Sequence, residues 1–124
     1  MSKVTVTRKK LEELLEDLEK RSDITASALV TRDGLVMASA LPKDVDEDAI
    51  SAMAGMMLGL GNRVGTVLKR GSVEQVIING RDGFAILTDC GQAVLIALAP
   101  SEAKLGILLY EMKETANMVK NMFR

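Results

Sequence analysis

Apolar and polar positions alternate along this chain with two different periods, and the switches between them divide it into eight elements. Leu11, Leu14, Leu15 and Leu18 follow the i, i+3, i+4, i+7 spacing of a helix with one buried stripe, while Glu12, Glu13, Glu16 and Asp17 decorate a solvated side. Thr7 is placed to cap free amide groups, so a helix is predicted over about residues 7–21, with Glu16/Lys20 and Asp17/Arg21 as i, i+4 pairs. Strand-forming runs follow at residues 24–31 and 35–40, and again at 72–79, 84–89 and 92–99. After Pro100, Leu105, Leu108, Leu109, Met112, Ala116, Val119 and Met122 return to the helical period, with Ser101 as the expected cap.

The turns organise these strands. Thr31-Arg32-Asp33-Gly34-Leu35 recurs almost unchanged as Gly80-Arg81-Asp82-Gly83-Phe84, each copy between two apolar runs. Asp-Gly in that setting marks a hairpin, because Gly takes the positive-φ position that a tight turn needs. Arg32 and Asp33 are expected to tolerate replacement better than Gly34. Asp89-Cys90-Gly91 is a third tight turn, which makes the last three strands a meander. Residues 93–99 lack any polar alternation and belong at the centre of the sheet, buried on both faces. Residues 72–79 carry Glu74 and Gln75 and read as an edge. The order is α-ββ-α-βββ-α.

Residues 46–70 form the central helix, and at 100° per residue their side chains sort into two opposed faces. Ile50, Met53, Met56, Met57, Leu60, Val64, Val67 and Leu68 form an apolar face expected to lie on the sheet. The other face carries Ser51, Ala52, Gly55, Gly59, Asn62, Arg63, Thr66 and Arg70, bordered by Leu58, Gly61 and Gly65. Each glycine inside a helix costs about 1 kcal/mol relative to alanine. Four of them call for compensation, which close approach of another backbone would supply, either a partner's or a neighbouring loop's. The small face is accordingly the candidate protein-binding surface. Asp44, Asp46, Glu47 and Asp48 at the start of this helix suit its dipole and lack the spacing of a calcium loop.

Composition narrows the function by exclusion. The 124 residues fit one domain, expected over 7–124 behind a short tail at 1–6. Net charge −1 and a pI near 5.5 offer no basic footprint for nucleic acid. The chain has no histidine and one cysteine, Cys90, so it holds no Ser-His-Asp triad, Cys-His pair, disulfide or multi-thiolate metal site. No phosphate-binding Gly-x-x-x-x-Gly-Lys-Ser/Thr loop occurs, so neither catalysis nor a bound cofactor or metal is expected of this chain alone. No leader-like or membrane-spanning apolar run is present, and a cytoplasmic location is expected without membrane insertion. Eight methionines and three aromatic residues make the expected core aliphatic and pliable.

The element order, the twin Arg-Asp-Gly turns, the glycine-bearing central helix and the closing Leu105-Gly106-Ile107-Leu108-Leu109-Tyr110-Glu111-Met112-Lys113 together resemble the roadblock family. That family includes dynein light chains of that name and prokaryotic regulators of Ras-like GTPases. The resemblance spans about residues 11–119. It implies an α+β sandwich with a five-stranded antiparallel sheet in the order 2-1-5-4-3, the central helix on one face and the terminal helices on the other. It further implies a homodimer joined through the edge strand and central helix, with Leu58, Gly59, Val73, Glu74, Gln75, Val76 and Ile77 at the interface. The resulting platform would bind a Ras-like small GTPase through Ala52, Gly55, Gly59, Asn62, Arg63, Thr66 and Arg70. Such a protein regulates or scaffolds the GTPase, with stimulated GTP hydrolysis as a further implied activity. A structural adaptor light chain and a small-molecule sensor are the alternatives.

Overall fold

The computed structural model describes residues 6–123, so residues 1–5 of the expected tail lie outside the described residues. Its elements are α1 (Arg8–Arg21), β1 (Ala26–Thr31), β2 (Val36–Ala40), α2 (Glu47–Val67), β3 (Gln75–Gly80), β4 (Gly83–Asp89), β5 (Ala93–Ala99) and α3 (Leu105–Met122). The strands form one antiparallel sheet in the order β2-β1-β5-β4-β3, as expected, with β5 central and β3 at an edge.

Alternation along each strand builds two unequal cores. Leu29, Ile86 and Leu95 point to one side, where Leu11, Leu15 and Leu18 of α1 and Leu108, Met112 and Val119 of α3 cover them. Val30, Leu87, Val94 and Ile96 point to the other, under Ala54 and Leu58 of α2. The stripes read for α1 and α3 are the buried ones. Thr7 caps α1 by accepting from the Lys10 amide at 3.2 Å. Arg21 reaches across to Glu111 on α3 at 2.6 Å. Ser101 does not cap α3. Its hydroxyl donates to Glu102, a turn closed by Ala103 N–H to the Pro100 carbonyl intervenes, and the helix begins at Leu105 with Lys104 in the cap position.

The two Arg-Asp-Gly turns close differently. Gly34 stands at φ +95, and a Cβ there would lie 3.4 Å from Ala52 Cα and from the Ser51 carbonyl oxygen at the start of α2. Gly34→Val is expected to cost about 2 kcal/mol or more, since β-branching is strained at that φ and the added methyls meet α2. An unchanged urea midpoint would refute this. Arg32 is less replaceable than its turn position suggested. Its Nε donates to the Gly91 carbonyl and its guanidinium meets the Asp89 carboxylate, both at 2.6 Å, tying the β1–β2 turn to the β4–β5 turn.

Cys90 is buried in the latter turn with its thiol directed at the Thr88 carbonyl, and burial pushes its pKa up to about 12. The folded chain thus keeps a proton that the unfolded chain releases from about pH 8.5 upward. Stability from this group is complete below that pH and declines between it and about pH 12. Denaturation of Cys90→Ala beside the wild type from pH 7 to 11 should show the wild type losing more stability with rising pH.

Candidate functional site: the outer face of α2 beside a free strand edge

The geometry of α2 reverses the expected orientation. Asp46 caps it, accepting from the Ala49 amide at 3.1 Å, and Glu47 and Asp48 occupy the first turn where the helix dipole favours them. The buried positions of the helix are Ser51, Ala54, Leu58 and Gly65, Ile50 and Met57 are half-buried against the same core, and the rest of the apolar face points away from the sheet. Met56 is 72% exposed and Leu60 64%, whereas Leu58 between them is fully buried. Met53, Val64, Val67 and Leu68 are exposed with them, so the expectation that these residues form core is wrong.

The glycines explain the inversion. A Cβ at Gly55 would stand 2.1 Å from the Arg32 carbonyl oxygen, one at Gly61 2.9 Å from Val76 Cγ2, and one at Gly65 2.6 Å from the Gly71 carbonyl oxygen. These gaps are filled by the chain's own backbone and by β3, allowing α2 to sit low on the sheet. Their helix-propensity cost is offset within the fold, and only Gly59 has open space where a side chain would be. Asn62 also turns inward, its Oδ1 accepting from the Val73 amide at 2.8 Å and fixing the return of the chain after the helix.

The candidate residues therefore separate. Ala52, Gly59, Arg63, Thr66 and Arg70 are exposed, while Gly55 and Asn62 are taken up by internal packing and leave the partner-binding set. Leu58 leaves the interface set because it is core. Val73 and Glu74 precede β3, which starts at Gln75. Glu74 pairs with Lys113 at 3.3 Å, and Gln75 donates to Thr88 Oγ1 and the Leu109 carbonyl, so both side chains turn toward α3. Val76 faces α2, and Ile77, opposite Ile86, faces the side of α1 and α3.

Between α2 and β3 runs an apolar groove of about 460 Å³, lined by Met57, Leu60, Val64, Leu68, Val73 and Val76, with Arg70 at its rim. β3 pairs only with β4, leaving its outer edge unpaired, and Ile77 and Ile78 are exposed on it without a proline or lysine to guard the strand. The outer face of α2 and the edge strand β3 thus adjoin across a shared groove. Among the described residues no cluster of metal-ligating side chains occurs, and no helix is long and apolar enough to cross a membrane.

A five-stranded antiparallel sheet in this order, with one helix on one face and two on the other, defines a roadblock-type sandwich. The chain belongs to the Roadblock/LC7 domain family, which it matches over residues 10–99. Two uncharacterised proteins of Methanocaldococcus jannaschii are each 34% identical over 113 residues, covering 91% of this chain and 99% of theirs. A Roadblock/LC7 domain from Streptomyces avermitilis superposes with a TM-score of 0.82 at 26% identity over 90% of this chain and 96% of its own. The Myxococcus xanthus protein MglB superposes with a TM-score of 0.87 at 14% identity, over 99% and 94% of the two chains, a likeness of fold.

Proposed function

We propose that this chain is a non-catalytic dimeric regulator or scaffold that binds a Ras-like small GTPase in the cytoplasm. The observation that carries the reading is the exposed Met/Leu/Val face of α2 beside an unpaired β3. A helix presenting that much apolar side chain to water, next to an open strand edge, is suited to burial by protein. Pairing of β3 with β3 of a second copy would extend the sheet and bring the groove-side residues Leu60, Val64 and Leu68 toward the partner helix. Ala52, Met56, Gly59, Arg63 and Thr66 would remain on the outer platform for the GTPase, with Arg63 as a docking cation. The family resemblance supplies the partner class, and the lack of catalytic groups is consistent with a regulator.

The test is a binding titration of the purified chain against a Ras-like GTPase from the same organism, loaded with GDP or with a non-hydrolysable GTP analogue. Preference for one nucleotide state by tenfold or more, about 1.4 kcal/mol, supports regulation. Equal affinity favours an adaptor, and no binding removes the reading. Gly59→Leu places a bulky side chain in open space on the platform and should weaken GTPase binding while the chain stays folded and dimeric. Phosphate release from the GTP-loaded partner, with and without the chain, measures stimulated hydrolysis.

A further inference from the structure

The sulfur atoms of this chain divide by exposure. Met56 is the most exposed large apolar side chain among the described residues, and Met53, one turn earlier on α2, is exposed beside it. Met112 is fully buried, and Met37, Met57 and Met122 are half-buried against the two cores. Met118 is exposed on α3, which lies across the sheet from α2. The thiol of Cys90 is buried and held in its protonated form, so it offers no thiolate to an oxidant. The open sulfur of the molecule is therefore thioether sulfur. Ala52, Met56, Gly59 and Arg63 follow one exposed stripe of α2, and Met56 is the only large apolar side chain in it.

We propose that Met56 is a site of reversible oxidation by hydroperoxides, and that its sulfoxide releases the partner held on the outer face of α2 while the protomer stays folded. The inference rests on the GTPase reading above and adds a mode of regulation to it. In the step itself a sulfur lone pair attacks one oxygen of hydrogen peroxide, and the S–O bond forms as the O–O bond breaks. The departing hydroxide takes the proton of the transferred oxygen and leaves as water. Sulfur gives up two electrons and the peroxide accepts them. A polar sulfoxide then stands where an apolar thioether stood, a change that disrupts packing when it happens inside a core. Met56 packs against neither core, so its oxidation costs the fold nothing comparable. The penalty falls on burial by a partner, which must strip the S–O group of water.

The full chain is treated with hydrogen peroxide, quenched with catalase and titrated against the GTPase in whichever nucleotide state binds more tightly. Peptide mass spectrometry over time should show one oxygen added at Met56 well before Met112, and circular dichroism should stay native. Affinity should fall about tenfold. The two stereospecific methionine sulfoxide reductases, supplied with dithiothreitol, should return it to within about threefold of the untreated chain. Each variant is compared with its own untreated form. Met56→Leu should change by less than about threefold on treatment, whereas Met53→Leu should still lose about tenfold. Where Met56→Leu binds too weakly to titrate, M53L/M118L decides, because Met56 is then the one exposed thioether among the described residues and the loss and its reversal should both remain.

Oxidised Met56 without loss of affinity, a loss that persists in Met56→Leu, or Met112 oxidised as fast as Met56 overturns the inference while the GTPase reading stands. An untreated chain that binds the GTPase in neither nucleotide state removes that reading and this inference with it.

Discussion

Leu58→Ala is expected to lower the stability of the chain by about 2–5 kcal/mol, and Leu60→Ala, two residues along the same helix, by no more than about 0.5 kcal/mol within the protomer. Leu58 is fully buried among Val30, Leu87, Val94 and Ile96, so its truncation leaves a cavity under α2. Leu60 stands in solvent at 64% exposure. Urea denaturation at several protein concentrations separates the contributions. The Leu58 loss should persist at every concentration, whereas any Leu60 loss should grow with concentration, because association adds stability only where the dimer is populated. Equal losses at both positions would mean that α2 is rotated from the orientation described.

Leu60→Asp combined with Val64→Asp carries the complementary effect. Both side chains line the groove between α2 and β3, and neither is buried in the protomer. Placing two carboxylates there should leave the circular dichroism spectrum native and weaken self-association by about a hundredfold or more, a loss of roughly 3 kcal/mol typical of an interface centre. Light scattering at tens of micromolar should report a monomer. A native double variant that associates like wild type would show that the groove is not an interface.

Much of the fold is legible from short-range physics. Strand runs interrupted by Asp-Gly turns order the sheet, and the absence of polar residues in Ala93–Ala99 puts β5 at its centre. α1 and α3 are readable because each has one dominant apolar stripe that is the buried one, although α3 also leaves Ile107, Tyr110 and Met118 exposed. α2 breaks that coincidence. It has an apolar face and a small face, and periodicity separates the two without saying which is inside. The larger apolar area is the expected inward side. In fact Gly55, Gly61 and Gly65 let the backbone approach the Arg32 carbonyl, Val76 and the Gly71 carbonyl so closely that the fully buried positions are small residues and Leu58, with Ile50 and Met57 half-buried beside them.

The signal that could have found the outer face is the absence of any acidic residue from Ala49 to Val73. Ordinary solvated helices intersperse charges of both signs on their outward side, as α1 does. A long stretch with neither an acidic residue nor more than three cations leaves nothing to keep that side in water. The inward position of Asn62 was not readable locally, because its partner, the Val73 amide, comes from the loop beyond the helix. The end of α2 at Val67, earlier than expected, follows from Lys69 at φ +59 and Gly71 at φ +84, which reverse the chain toward β3.

The low seat of α2 divides the helix between two selective regimes. Inward positions answer to volume, since enlarging Gly55 or Gly65 strikes backbone within 3 Å and Leu58 is closely packed among Val30, Leu87, Val94 and Ile96. Outward positions such as Met53, Met56 and Leu60 answer to whatever covers them and hardly at all to folding. New binding preferences can therefore be acquired by changing the outer positions one at a time, each intermediate remaining a stable protomer. A scaffold of this kind can diversify after gene duplication into chains that share a fold and differ in what they recognise.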